Sequence, residues 1–176
     1  LALKLPLNAI KKGLGRAEAV PGRLEPIEAG QPFRVFVDYA HTEDALYNIL
    51  SLLREVRQRR IITVFGCGGN RDTTKRPRMG VVACELSDHV VITSDNPRFE
   101  EPLKIIEEIE RGIACRFSNY DITVDRRQAI GRALTLAQPD DIVVIAGKGH
   151  EDYQIVRDAV VHFDDREIVR ELLAGR

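Results

Sequence analysis

The feature that most constrains the fold is the alternation of short apolar strands with amphipathic helices. β-Branched or aromatic runs predict strands at Arg34–Asp38, Ile61–Phe65, Val90–Thr93, Ile122–Val124 and Ile142–Ala146, each expected to be buried on both faces. Apolar residues at helical spacing lie between them, over Asp44–Val56, Met79–Leu86, Leu103–Ile113 and Arg127–Leu136. Helical crossovers join parallel strands, so this order predicts a doubly wound α/β fold with a mostly parallel sheet.

Both ends of the chain add further elements. Leu1–Lys12 is compatible with a helix, and the segment VPGRLE (Val20–Glu25) is typical of a turn or linker, which places a domain boundary near residue 22. Near the other end, Tyr153–Phe163 predicts a hairpin, and Asp165–Leu173 resumes helical spacing. The chain starts at Leu1, so we expect it to be a piece of a longer protein.

The composition limits the classes of partner. Lys and Arg number 26 against 27 Asp and Glu, so the net charge of −1 provides no general field that attracts nucleic acid or an anionic membrane. No apolar run approaches the ~18 residues of a membrane helix, and no secretory pattern opens the chain. Three widely spaced cysteines predict reduced thiols and no zinc site. We expect a cytoplasmic monomer with neither nucleic-acid nor membrane partners.

Four loops with unusual polar residues follow predicted strands. They are Asp38–His41, Gly66–Asp72, Ser94–Arg98 and Gly147–Asp152. Ligands of open parallel sheets bind beyond the carboxyl ends of the strands, where such loops converge. The shared position of the loops therefore predicts one binding site.

Each loop also has a plain structural interpretation. The glycines of Gly66–Asp72 allow backbone N–H groups to approach an anion beside Arg71, but the spacing matches neither a dinucleotide fingerprint nor a P-loop. Asp95, Asn96 and Arg98 carry the groups that recognise a zwitterionic amino acid, although such clusters are also ordinary turns. The carboxylate of Glu151 could bind a ligand ammonium, and Lys148 or a backbone N–H could bind an anion. A GKG sequence at the end of a strand is, however, often only a turn.

Asp38 and His41 allow two interpretations as well. An Asp at the end of a strand can accept hydrogen bonds from a ribose. Both residues are equally compatible with capping the helix that begins near Thr42, a residue that is itself a good N-cap. No nucleophile with an adjacent base is apparent, and Cys67 is expected to pack in its loop.

Taken together, five motifs resemble the C-terminal domain of Mur ligases, most closely the MurE type that adds 2,6-diaminopimelate. They are VPGRLE, VDYAHTEDAL, VFGCGGNRDTTKRPRMG, TSDNPRFEEP and IAGKGHEDYQ, in this order from about Ala17 to the C-terminus. Glu43 departs from the pattern, since the family usually has proline after DYAHT.

The resemblance implies a Rossmann-like domain of an ATP-dependent peptide ligase of peptidoglycan synthesis. Residues 1–22 are then the end of a central ATP-binding domain with its linker, and residues 23–176 are the C-terminal domain. It assigns meso-diaminopimelate to Arg71, Asp95, Asn96, Arg98, Gly147 and Glu151, and ATP to Arg23, Asp38 and His41. It places the P-loop, the magnesium ligands and most of the site for the UDP-N-acetylmuramoyl dipeptide in domains outside this chain, so the chain alone is expected to be inactive and to contain no catalytic residue.

Three alternatives remain open at this point. A ligase of the same type that adds lysine and a ligase similar to folylpolyglutamate synthase share the expected architecture. A nucleotide-binding or regulatory module is a third, supported by the glycine loops alone. The motifs DNPR and GKGHED favour the diaminopimelate ligase, because they resemble the loops that hold this amino acid.

Overall fold

A six-stranded sheet forms the centre of the chain in the computed structural model, which describes residues 5–14 and 20–175. The strands in these residues are β1 (Glu25–Pro26), β2 (Arg34–Asp38), β3 (Ile61–Phe65), β4 (His89–Ile92), β5 (Tyr120–Ile122), β6 (Ile142–Ala146), β7 (Tyr153–Val156) and β8 (Ala159–His162). The helices are α1 (Leu7–Leu14), α2 (Glu43–Val56), α3 (Lys75–Leu86), α4 (Pro102–Glu110), α5 (Arg126–Leu136) and α6 (Asp165–Ala174).

The strand order is β1-β2-β6-β3-β4-β5, and all neighbours except β1 and β2 are parallel. One apolar cluster packs α2, α3 and α4 on one face of the sheet. A second cluster packs α5 and α6 on the other face. The predicted doubly wound, Rossmann-like α/β fold is therefore confirmed.

Burial explains which strands the sequence predicts best. Strands β3 and β6 lie in the middle of the sheet, every residue in both is buried, and their predicted bounds are confirmed. A strand covered on both faces is a continuous apolar run, which is easy to recognise. Strand β5 lies at the edge and has no buried residue, so the expectation that every strand is buried on both faces is wrong there.

Several predicted bounds are wrong by a few residues. Helix α3 begins at Lys75 rather than Met79, because Pro77 falls in its first turn, where a missing N–H is tolerated. Helix α4 ends at Glu110 rather than Ile113, and turns continue to residue 116. Strands β4 and β5 begin one and two residues before the predicted positions.

The ends of the chain follow the predicted order. Residues 7–14 are helical, and residues 1–4 of the predicted N-terminal helix lie outside the described part of the chain. The predicted turn at residues 20–25 ends in the short strand β1, which the sequence did not predict. Strands β7 and β8 form the predicted hairpin, which is separate from the main sheet. Among residues 5–14 and 20–175, no helix has the length and apolarity needed to cross a membrane.

Candidate functional site

A cleft of about 550 Å³ lies where β2, β3, β4 and β6 end at their carboxyl edges. Strands β3 and β6 are neighbours whose following helices, α3 and α6, lie on opposite faces of the sheet, and such a switch opens a crevice. The cleft is lined by all six residues predicted to bind the amino acid: Arg71, Asp95, Asn96, Arg98, Gly147 and Glu151. A second cleft, of about 390 Å³ beside β1 and β2, has none of them.

The loop that contains Asp95, Asn96 and Arg98 is held by strand β7. The side-chain Oδ1 of Asn96 accepts a hydrogen bond from Ile155 N at 2.8 Å, and Arg98 N donates to Ile155 O at 3.0 Å. Gln154 Nε2 also donates to the carbonyl of Asp95. The predicted hairpin thus has a function that the sequence did not reveal, since it fixes the backbone of this loop.

Arg98 projects a partly satisfied guanidinium into the cleft. Its Nη1 donates to the carbonyls of Gly69 at 2.9 Å and Asn96 at 3.4 Å, whereas Nε and Nη2 have no partner among the described residues. The backbone of Arg98 has φ 52°, a conformation that costs a non-glycine residue roughly 1 kcal/mol or more. The loop therefore holds Arg98 in an unfavourable backbone conformation, and Arg98 lines the cleft.

Arg71 adds a second cation to the same cleft. Its side chain is exposed and forms no hydrogen bond or ion pair with the described part of the chain. The nearby Lys75 is different, because its Nζ donates to the carbonyl of His41 at 2.6 Å. Arg71 is thus available for a ligand anion.

Two carboxylates, those of Asp95 and Glu151, line the same cleft. Asp95 Oδ1 accepts from Asn96 N at 2.6 Å, and Glu151 Oε2 accepts from Asn96 Nδ2 at 3.0 Å. The other oxygen of each, Asp95 Oδ2 and Glu151 Oε1, has no hydrogen-bond partner in residues 5–14 and 20–175. Asn96 is only 3% exposed and donates to both carboxylates, so it fixes their orientation.

Lys148 lies behind Glu151 rather than in the cleft. Its side chain is fully buried, with Nζ 3.4 Å from Glu151 Oε2 and donating to the carbonyl of Tyr153. The interpretation of Lys148 as a group for a ligand anion is therefore wrong. A buried charge of this kind needs its partner, so Lys148 fixes the Glu151 carboxylate and balances its charge.

Gly147 brings the two anionic loops into contact. Its φ is 120°, and a Cβ built there lies 2.7 Å from Asp95 Oδ2. Only glycine combines this backbone conformation with so close a carboxylate. The family resemblance implies that Gly147 binds the ligand, which stays a prediction; its observed neighbour is the Asp95 carboxylate.

The glycine loop after β3 packs against its neighbour instead of encircling an anion. Gly69 N donates to Asn96 O at 2.9 Å, and a Cβ on Gly69 lies 2.0 Å from Pro97 O. Beneath it, the buried Arg76 binds Glu100 and donates to Gly68 O at 3.1 Å. These glycines therefore permit two loops to touch, and the hydrogen bond from Arg76 lowers the pKa of Glu100.

The three residues predicted for ATP lie at the rim of the cleft or beside it. Arg23 is exposed with its guanidinium 4.8 Å above the ring of Tyr39, and His41 lines the cleft. Asp38 is different, because its oxygens accept from Leu24 N at 2.7 Å and Ala40 N at 2.8 Å. Asp38 therefore fixes the segments that carry Arg23 and His41, and contact of the three with ATP stays a prediction.

The alternative interpretation of Asp38 and His41 as helix caps is wrong. The side chain of Thr42 caps α2 by accepting from Ala45 N, as predicted. His41 Nδ1 lies instead 2.9 Å from the carbonyl of Tyr39.

Among the residues that the structure describes, the cleft contains no evident nucleophile, and its lining shows no cluster of metal-ligating side chains. Cys67 is buried with its Sγ 3.7 Å from Met79 Sδ, and burial raises its pKa to about 12, so the prediction that it packs is confirmed. Across the described ranges, no three His, Cys, Asp or Glu side chains come together to hold a metal ion.

Comparison with known proteins agrees with this architecture. A family model described as "Mur ligase, glutamate ligase domain" matches residues 22–149. A curated relative from Syntrophomonas wolfei, UDP-N-acetylmuramoyl-L-alanyl-D-glutamate–2,6-diaminopimelate ligase, is 55% identical over 168 residues, which cover 95% of this chain and 34% of the relative. The chain thus spans about a third of the length of such relatives.

Solved structures agree as well. A structure of UDP-N-acetylmuramoyl-L-alanyl-D-glutamate–2,6-diaminopimelate ligase superposes with a TM-score of 0.84 at 38% identity, covering 99% of this chain and 36% of that chain. Folylpolyglutamate synthase from Mycobacterium tuberculosis superposes with a TM-score of 0.61 at 22% identity, covering 82% of this chain and 33% of that one, which shows a shared fold alone. With 128 of its 176 residues matched by the family model, the chain belongs to the Mur ligase family and contains its glutamate ligase domain.

Proposed function

We propose that this chain is the C-terminal domain of an ATP-dependent ligase that adds meso-diaminopimelate to UDP-N-acetylmuramoyl-L-alanyl-D-glutamate. Residues 23–176 form the amino-acid-binding domain in this proposal, and residues 1–22 connect it to a central domain. The names of the relatives support the reaction, and their greater length supports the presence of further domains.

The charges of the cleft carry the proposal. Arg71 and Arg98 present N–H groups without partners, and Asp95 and Glu151 each present one free oxygen, among the described residues. meso-Diaminopimelate is an amino acid with a zwitterion at each end, so it offers two carboxylates and two ammonium groups. Guanidinium groups bind carboxylates through paired hydrogen bonds, and carboxylates accept from ammonium groups. The four free groups therefore match the four charged groups that the ligand carries when it first binds, before one amine loses its proton and attacks.

Lysine is a poorer match to the same cleft. It lacks the second carboxylate, so it leaves one of the guanidinium groups without an anion. A site built around a charged hydrogen bond rejects an analogue that lacks the partner by several kcal/mol, roughly a thousandfold. This comparison favours diaminopimelate over the lysine-adding alternative.

ATP activates the acceptor carboxylate by phosphorylation in the proposed reaction. Arg23 and His41 are both exposed, His41 in the lining of the cleft and Arg23 over the ring of Tyr39, and their N–H groups suit the phosphates. Asp38 fixes the segments that carry both residues. The task of the cleft is to hold the amino acid so that one of its amines faces the activated carboxylate. Productive orientation of this kind supplies a large part of the rate enhancement in such reactions.

A ligation assay of the full-length gene product tests this function. ATP, magnesium and the UDP-sugar dipeptide are supplied with meso-diaminopimelate or L-lysine, and a separate reaction supplies a reduced folate with L-glutamate. Mass spectrometry of the products should show the diaminopimelate adduct as the main one. A predominant lysine or folate adduct would replace the proposal with the corresponding alternative.

A further inference from the structure

Arg126 is a fully buried cation that the cleft itself does not expose. It is the first residue of α5, its side chain is 1% exposed, and it lies on the face of the sheet covered by α5 and α6. Its Nε and Nη2 donate to the two oxygens of Asp165, both at 2.8 Å. The guanidinium is therefore fixed in one orientation by a bidentate pair.

The remaining hydrogen bonds of Arg126 reach the ends of two strands. Nη2 donates to the carbonyl of Ala146 at 3.0 Å, and Nη1 donates to that of Ser94 at 3.4 Å. These residues directly precede Gly147 and Asp95, and β3 separates their strands in the sheet. One side chain thus connects two loops of the cleft that no sheet hydrogen bond joins.

The charge of Arg126 also acts on the cleft from behind. Burial alone lowers the pKa of its guanidinium, but attraction from Asp165, with smaller contributions from Asp95 and Glu151, raises it overall. The two carboxylates thus have a permanent cation behind them. A buried ion pair is weak evidence for stability, because desolvation offsets the attraction, so a positional role explains this pair better.

We propose that Arg126, fixed by Asp165, is a positioning residue that sets the distance between the Asp95 loop and the Gly147–Glu151 loop and so determines the affinity for the amino acid. The inference rests on the proposed function. A displacement of about 1 Å in a binding group can cost up to roughly a hundredfold. Loss of this connection should therefore affect the amino acid far more than the other substrates.

The test compares three variants of the full-length gene product, two at the Arg126–Asp165 pair and one control. Asp165→Asn removes the negative charge of the Arg126–Asp165 pair. Arg126→Lys keeps the positive charge but cannot form the bidentate hydrogen bonds. The matched control is Asp141→Asn, because Asp141 is as buried as Asp165 and pairs with Arg60 at 2.6 Å. Asp141 directly precedes β6, at the end of that strand away from Ala146 and the cleft. Thermal unfolding and KM for diaminopimelate, ATP and the UDP-sugar dipeptide are measured for each.

We expect Asp165→Asn and Arg126→Lys to raise KM for diaminopimelate about tenfold to a hundredfold, with the other two KM values within about twofold. Asp141→Asn should lower the unfolding temperature and leave all three KM values unchanged. The inference would be overturned if the folded variants have a normal KM for diaminopimelate, or if this KM rises equally in the Asp141→Asn control. It would also be overturned if neither Asp165→Asn nor Arg126→Lys folds. If the unmodified protein uses another amino acid, the proposed function fails, and the same comparison with that amino acid still tests the positioning role.

Discussion

Replacing Gly147 by alanine should displace the Asp95 carboxylate in the cleft. The backbone conformation of Gly147 and its distance from Asp95 give the expected size of the effect. The backbone of Gly147 has φ 120°, and the added Cβ lies 2.7 Å from Asp95 Oδ2. Holding an L-residue in so sparsely populated a conformation costs about 1–3 kcal/mol. Ordinary contact begins at 3.4 Å, so the Asp95 carboxylate must also move by about 0.7 Å.

That displacement should appear in the binding of the amino acid. A shift approaching 1 Å in a ligand-binding group costs up to roughly a hundredfold, so KM for diaminopimelate should rise about tenfold to a hundredfold. Gly30→Ala is the matched control, because Gly30 has φ 82° and nothing lies within 4 Å of a Cβ built there. The control variant has a similar conformational penalty in the backbone but no steric clash.

Urea unfolding and steady-state kinetics of the full-length gene product separate the two costs. Both variants should lose about 1–3 kcal/mol in the free energy of unfolding, and only Gly147→Ala should raise KM for diaminopimelate. A Gly147→Ala variant with normal KM for diaminopimelate would show that contact between Gly147 and Asp95 does not shape the cleft. An equal rise in Gly30→Ala would assign the effect to general destabilisation instead.

Three further predictions concern Arg98 in the cleft and two charged groups that support its loops, Lys148 and Glu100. Arg98→Ala should lower kcat/KM for diaminopimelate by roughly a thousandfold and leave the low value for lysine nearly unchanged; an equal loss for both would contradict the assigned role. Lys148→Met, which removes the buried cation behind Glu151, should raise KM for diaminopimelate about tenfold with little change in that for ATP, and unchanged kinetics would show that Glu151 needs no such support. The hydrogen bond from Arg76 lowers the pKa of Glu100 from 4.5, so ionised Glu100 stabilises the fold fully above pH 4.5. This stabilisation is lost as the pH falls through the lowered pKa. The urea midpoint of Glu100→Gln should therefore depend less on pH in that range than the urea midpoint of the unmodified protein.

Local patterns were sufficient for most of the fold. Strands β3 and β6 are continuous apolar runs because both of their faces are buried, and Thr42 has the chemistry of an N-cap. The two-residue strand β1 has no such pattern, since its pairing depends on β2 rather than on its own residues. Strand β5 lies at the edge of the sheet, and its residues are too exposed for an apolar pattern to predict its bounds.

The members of the candidate site were easier to predict than their supports. Parallel strands end at one edge, so polar residues that follow them were expected to meet, and all six predicted for the amino acid line the cleft. The contacts of Arg126 with Asp165 and of β7 with the loop of Asn96 join residues 39 and 59 positions apart in the chain. No local spacing encodes these contacts, because they depend on how α6 and the hairpin pack against the sheet. Lys148 was misinterpreted for the same reason, since only the packed loop turns it inward.

A crystal structure of the protein with meso-diaminopimelate tests most directly the claim that this cleft is the amino-acid site. We predict the ligand in the cleft, with a carboxylate within hydrogen-bonding distance of Arg98 and ammonium groups against Asp95 and Glu151. A ligand bound elsewhere, or a cleft that stays empty at saturating diaminopimelate, would show that this cleft is not the amino-acid site.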